Sequence, residues 1–275
     1  MRFHSWTVLA VLALGVGCSG DKSSDDDTSE SGTTDGTTDG TTDTSDTGED
    51  TGDTGPEAVC EEPTDVSCVD ALILDLSLHD DRTSEGDVST TTDGADFVSE
   101  IDASAGGYER AHLNAWVYVK FTPDGLEKVE IDDETALESM DWDLSLRRYI
   151  LRLNGGSSGP SCVGAASFHE STYADLTSVP DGIPYVQDDY YTSDCTITTD
   201  SSGLPGSPSV ALGPWWSYDG CVQTTLVPHL IQLADGHVVK MVVEEYYEQD
   251  QETCNENGSG GRNSGMYTIR WQYMN

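Results

Sequence analysis

Positive charge is what this sequence has least of. Only 12 Lys and Arg stand against 51 Asp and Glu in 275 residues, a formal charge of −39. Such a chain repels phosphate backbones and anionic headgroups, which argues against nucleic acid or acidic lipid as a partner. It also lacks any Cys-x-x-Cys pair, which removes the usual signature of a zinc site or a redox dithiol. Past the first eighteen residues it has no long apolar run. Finally, residues 19–57 contain no Val, Leu, Ile, Phe, Tyr or Trp, and their 13 carboxylates are opposed by Lys22 alone. That stretch cannot offset the entropy cost of ordering, so it is expected to be a disordered spacer extended by self-repulsion.

What is present begins at the N-terminus. Met1 and Arg2 precede a mostly apolar run from Trp6 to Val16, the charged head and short hydrophobic core of a secretion signal, too short to span a bilayer. The stretch from Leu12 to Cys18 resembles a bacterial lipobox, with Gly15 where Leu is usual. The expectation is a signal peptide over 1–17, an acylated Cys18, an acidic linker over 18–57 and one folded domain over 58–275. Ser19 after the acylated cysteine points to the outer membrane, with the membrane side left open. In this reading the lipid is the sole attachment to the membrane.

The domain keeps 38 acids and 10 bases, a formal charge of −28. Its six cysteines, Cys60, Cys68, Cys162, Cys195, Cys221 and Cys254, form an even set in an exported chain and predict up to three disulfides. Cys60 and Cys68 are close enough in sequence to form a local clip.

Strand signals dominate. Residues 70–78 are rich in β-compatible apolar residues. Residues 115–121 alternate, Thr122–Gly125 supplies turn chemistry, and 126–131 alternates again, which predicts a hairpin. The run 142–153 changes phase near Arg147–Arg148, consistent with a bulge. A second hairpin is expected from Leu226–Leu233 and His237–Tyr247 around Ala234–Gly236. In a last strand, 266–273, Tyr267, Ile269, Trp271 and Tyr273 share a face. Residues 133–140 read as a short helix, and Gly, Ser, Pro and Asp between 154 and 225 predict long loops. The fold class is mostly β: antiparallel sheets with long, disulfide-pinned loops.

Several segments taken in order resemble the HmuY family of exported lipoproteins. They are AWVYVKF (115–121), WDLSLRRYILRLNGGSSG (142–159), PWWSYDG (214–220), HLIQLADGHVVKMVVEEYYE (229–248) and GMYTIRWQYM (265–274). The resemblance covers roughly 108–275. It implies an all-β, lipid-anchored binding protein that captures haem or a related porphyrin and hands it to an outer-membrane receptor. The alternative is a surface interaction or structural module that keeps the fold without the cofactor.

Haem iron needs a lone pair from His, Met, Cys or Tyr. Among the domain's histidines, His169 and His229 lie nearest aromatic residues and are the candidate haem ligands; no other metal site is expected. His79, His112 and His237 read as surface or structural residues, Met241 and Met266 as core, and Tyr190–Tyr191 as a packed pair. Arg147–Arg148 could grip a propionate, but pairing with surface acids is the plainer reading. Trp215, Trp216 and Tyr218 could stack on a planar ligand or simply pack. Gly155–Gly159 fits G-x-S-x-G but promises no following helix, and Asp141 and Asp143 are expected on one solvated strand face. Catalysis is not expected.

Overall fold

The computed structural model describes residues 56–202, 204 and 206–274; the signal, Cys18 and nearly all of the linker lie outside them. No helix among the described residues is long and apolar enough to cross a membrane.

Among the described residues, twelve strands form three antiparallel sheets. β1 (Val88–Asp93), β2 (Asp96–Asp102), β7 (Gly164–Ser167), β10 (His229–Gln232), β11 (Val238–Gln249) and β12 (Arg262–Met274) make the largest, in the order β1-β2-β12-β11-β10-β7. β3 (Val117–Thr122), β4 (Gly125–Val129), β5 (Leu144–Arg147) and β6 (Ile150–Leu153) make a second, ordered β4-β3-β5-β6. β8 (Trp216–Tyr218) pairs with β9 (Val222–Thr224).

The period-2 pattern builds the core. Val117, Val119 and Phe121 of β3, Leu144 and Leu146 of β5, and Leu151 and Leu153 of β6 meet Val239, Met241 and Val243 of β11 and Tyr267, Ile269 and Trp271 of β12. Each alternate residue faces the other way. Tyr118 joins Trp116 and Trp142 in a second cluster on the outer face of the smaller sheet. On the large sheet Leu230 and Val238 are covered by Leu176 and the loop around it. Lys240 shares that face, yet it is buried, its Nζ donating to the carbonyls of Tyr173 and Leu176 at 3.0 and 2.9 Å.

Both expected hairpins and the closing strand form, but four local expectations are corrected. The segment read as a strand over 70–78 is a helix, α1 (Val69–Asp75). Val69, Ile73 and Leu76 with Leu72 follow helical spacing, and Leu72 and Leu76 bury against Trp116 and Trp142, which outweighs β propensity. The segment 142–153 is two strands rather than one with a bulge. Arg147 pairs with Ile150 across a two-residue turn, Arg148 has φ 55°, and the phase change marks a reversal of the chain. The helix over 133–140 shrinks to a 3₁₀ turn, Thr135–Glu138. Cys60 pairs with Cys162, Cys68 with Cys195 and Cys221 with Cys254, so no Cys60–Cys68 clip exists. The first two bonds join the start of the domain to distant segments because the chain opens by crossing them. Thr64 N donates to Pro160 O, and Val59 N donates to Ala234 O in the β10–β11 turn, both at 2.7 Å. The hairpin β1–β2 and the helix α2 (Gln251–Asn257) carried too weak a pattern to be expected.

Candidate functional site

The long segment between β7 and β9 builds one groove beside the end of the large sheet. β10 pairs with β7 in the register His229 to Ser167, and Phe168 N donates to Pro228 O at 3.0 Å. His169 therefore leaves the sheet edge beside Val227. Two adjoining depressions, of about 690 and 430 Å³, share His169, Ala211 and Pro214. Trp216, Tyr218 and Val227 line the larger; Phe168, Ile183 and Val186 line the smaller. Tyr218, Leu226 and Val186 are among the few large apolar side chains left exposed, and all three flank this groove.

The walls are held from behind. Trp215 is buried against Tyr246 and Tyr267, with ring centroids 5.7 and 5.3 Å away, and Trp216 packs on Tyr149 at 5.1 Å. The Cys221–Cys254 disulfide and the bond from Thr224 N to Asn255 Oδ1, 2.9 Å, tie β9 to α2. Asp188, fully buried, accepts from Ala211 N at 2.8 Å, Leu153 N at 3.0 Å and Ser158 Oγ at 2.6 Å. That carboxylate fixes the Ala211 wall to the smaller sheet, and its own burial pushes its pKa up.

The fold brings the two candidate histidines together but places them differently. His169 is exposed and lines both depressions. His229 lines neither; it is fully buried, with Nδ1 2.9 Å from Ser167 Oγ and Nε2 without a partner. Ser167 itself lines the smaller depression, so His229 stands one side chain back from the groove. Burial, and secondarily the charge of His169, pushes the His229 pKa down to about 3. The ring is thus neutral near pH 7, and the tautomer protonated on Nδ1 leaves a lone pair on Nε2.

The other sequence candidates lie elsewhere. His79 Nε2 contacts His112 O at 3.1 Å, and the exposed His237 sits 3.1 Å from Asp235. Met241 is core and Met266 half-buried. Tyr190 is buried 3.0 Å from Ser158 Oγ, and Tyr191 donates to Asp75. Arg147 and Arg148 neither line the groove nor pair with acids. Arg147 lies 4.6 Å over the Trp116 ring and donates to the carbonyls of Leu76, Ser77 and Asn114, while Arg148 donates to Ser264 O. Asp141 and Asp143 do not share a face: Asp141 is exposed, whereas Asp143 is buried and accepts from Phe121 N at 2.9 Å. The glycines of Gly155–Gly159 serve close packing. A side chain at Gly156 would strike Asp188 O, and one at Gly159 would strike Asn154 and Trp142. Ser157 between them is buried.

The profile of the HmuY protein family matches residues 112–258, which contain the whole groove. The chain belongs to the HmuY family. Solved structures similar to this HmuY-family chain include a Bacteroides vulgatus protein titled HmuY-like and haem-binding. It shares 20% identity, with 66% of this chain and 93% of that chain covered and a TM-score of 0.42. The apo HmuY analog of Tannerella forsythia shares 15%, covering 71% and 100%, with a TM-score of 0.37. A comparison with curated proteins returned no match. HmuY membership was legible in the aromatic loop and the paired strands. The wall residues Phe168, Ile183 and Val186 were missed, because a loop without periodicity gives no sign of which side chains converge.

Proposed function

We propose that this protein is a lipid-anchored outer-membrane protein that binds haem or a related porphyrin in the groove around His169. The observation that carries this reading is an imidazole exposed between two aromatic-walled depressions whose volumes fall in the small-ligand range. The residues fit the group. His169 would hold iron directly, while the buried, unpartnered Nε2 of His229 lies one side chain back from the groove. Trp216, Tyr218 and Phe168 would cover the macrocycle. Bound haem would supply a redox-active iron centre; the chain's own part is to shed water from the apolar plane and to present an imidazole. Anchorage through Cys18 and transfer to an outer-membrane receptor belong to the same proposal.

Haem titration of the purified chain, followed by difference absorbance in both oxidation states, tests it. A saturable 1:1 change with a resolved Soret maximum is expected, weakened at least about tenfold by His169→Ala, the loss of an iron ligand. A broad, non-saturating change would favour a second reading, a cofactor-free surface module on the same fold. One observation supports that reading: a single imidazole lines the groove.

A further inference from the structure

Within the haem-binding reading, on which this inference rests, the groove offers a carboxylate hydroxyls but no Lys or Arg among its described lining residues, and its one formally charged wall residue is Asp200.

None of the ten basic side chains of the domain lines the groove. Arg82, Lys128, Arg262 and Arg270 are ion-paired with acids. Arg147, Arg152 and Lys240 are buried and donate to backbone carbonyls. Arg148, whose charge reaches Tyr149 at the back of Trp216, spends its guanidinium on Ser264 O. Arg110 lines a separate polar depression with Asp81, Glu85 and Asp102. Lys120 is exposed on β3, outside the groove lining. Carboxylate recognition ordinarily uses an Arg fork or a Lys point charge, and neither reaches this groove. Around it lies a domain of formal charge −28, whose field repels a dianion.

We infer that the groove recognises the porphyrin by its apolar plane and metal alone, with the propionates left to water, so that it accepts tetrapyrroles whose carboxylates are esterified or missing. Affinity for the diacid is then held down by the protein's own field, and added salt relieves that repulsion.

The test uses iron protoporphyrin IX and its dimethyl ester, each titrated into the full chain at 20 mM and 500 mM NaCl. Expected is a diester bound at least as tightly as the diacid at low salt. Raising the salt should tighten the diacid by at least about twofold relative to the diester. Placing a cation on the exposed rim with Ser217→Lys should tighten the diacid several-fold at low salt and leave the diester unchanged. A diacid bound more than about tenfold tighter than the diester, or weakened by salt more than the diester, overturns the inference and leaves haem capture standing. Saturable binding of neither compound overturns both.

Discussion

Two buried side chains set opposite responses to acid. His229 has its pKa pushed from 6.5 down to about 3 by burial. The unfolded chain therefore takes up a proton below pH 6.5 that the fold refuses, and stability falls by about 1.4 kcal/mol per pH unit down to about pH 3. Asp143 has its pKa pushed from 3.8 up to about 6 by burial. The fold takes that proton first, so this residue adds stability as pH drops from 6 toward 3.8 and removes it as pH rises. Between those values the two slopes cancel. Asp143→Asn should unmask the histidine, giving a urea midpoint that falls steadily below pH 6. His229→Gln should leave a midpoint that holds or rises on the same titration, relative to the parent. At this scale the sequence was partly legible: the pairing of β7 with β10 carries the two histidines to one end of the large sheet, His169 into the groove and His229 behind Ser167. Nothing in it showed that Ser167 would come between His229 and the groove, because that depends on the β7–β10 register.

At the scale of elements, Arg147 acts as a cap. Its guanidinium takes the carbonyls of Leu76 and Ser77, just past the end of α1, while stacking on Trp116. Charge-assisted bonds inside a core carry about 1.5–3 kcal/mol each, so Arg147→Ala should cost about 3 kcal/mol or more in urea unfolding. Arg147→Lys should recover little, since an ammonium cannot span the carbonyls as a planar fork does. The Cys221–Cys254 bond closes a 33-residue separation behind the aromatic wall. Replacing both with Ser should lower stability by about 3–4 kcal/mol, measured as a drop in Tm, and should loosen the Trp216 wall, read as weaker porphyrin binding. Hairpins were legible because alternation and a turn report each other over short distances. The seven-residue helix α1 was not, since its apolar spacing fits a strand almost equally well and only the Trp116–Trp142 face decides. Disulfide partners were also beyond reach, being set by where the opening segment crosses the fold.

For the whole molecule, the acid excess is the governing term. With a formal charge of −28 on the domain, compaction works against self-repulsion, and screening should help. The urea midpoint at pH 7 is expected to rise between 10 and 300 mM NaCl, a range that shortens the Debye length from about 30 Å to well under 10 Å. A flat response would mean that the acids are too dispersed to matter. One further consequence comes from the way the chain arrives. Val59 is bonded to Ala234 in the β10–β11 turn, whereas His229, at the other end of β10, borders the groove. His229 and Ala234 are five residue steps apart along the chain, a span of at most about 17 Å. The opening segment of the domain is thus tied to one end of a strand, and the groove lies at the other. A tug on the first residues of the domain would load the β10–β11 turn before it reached the groove walls.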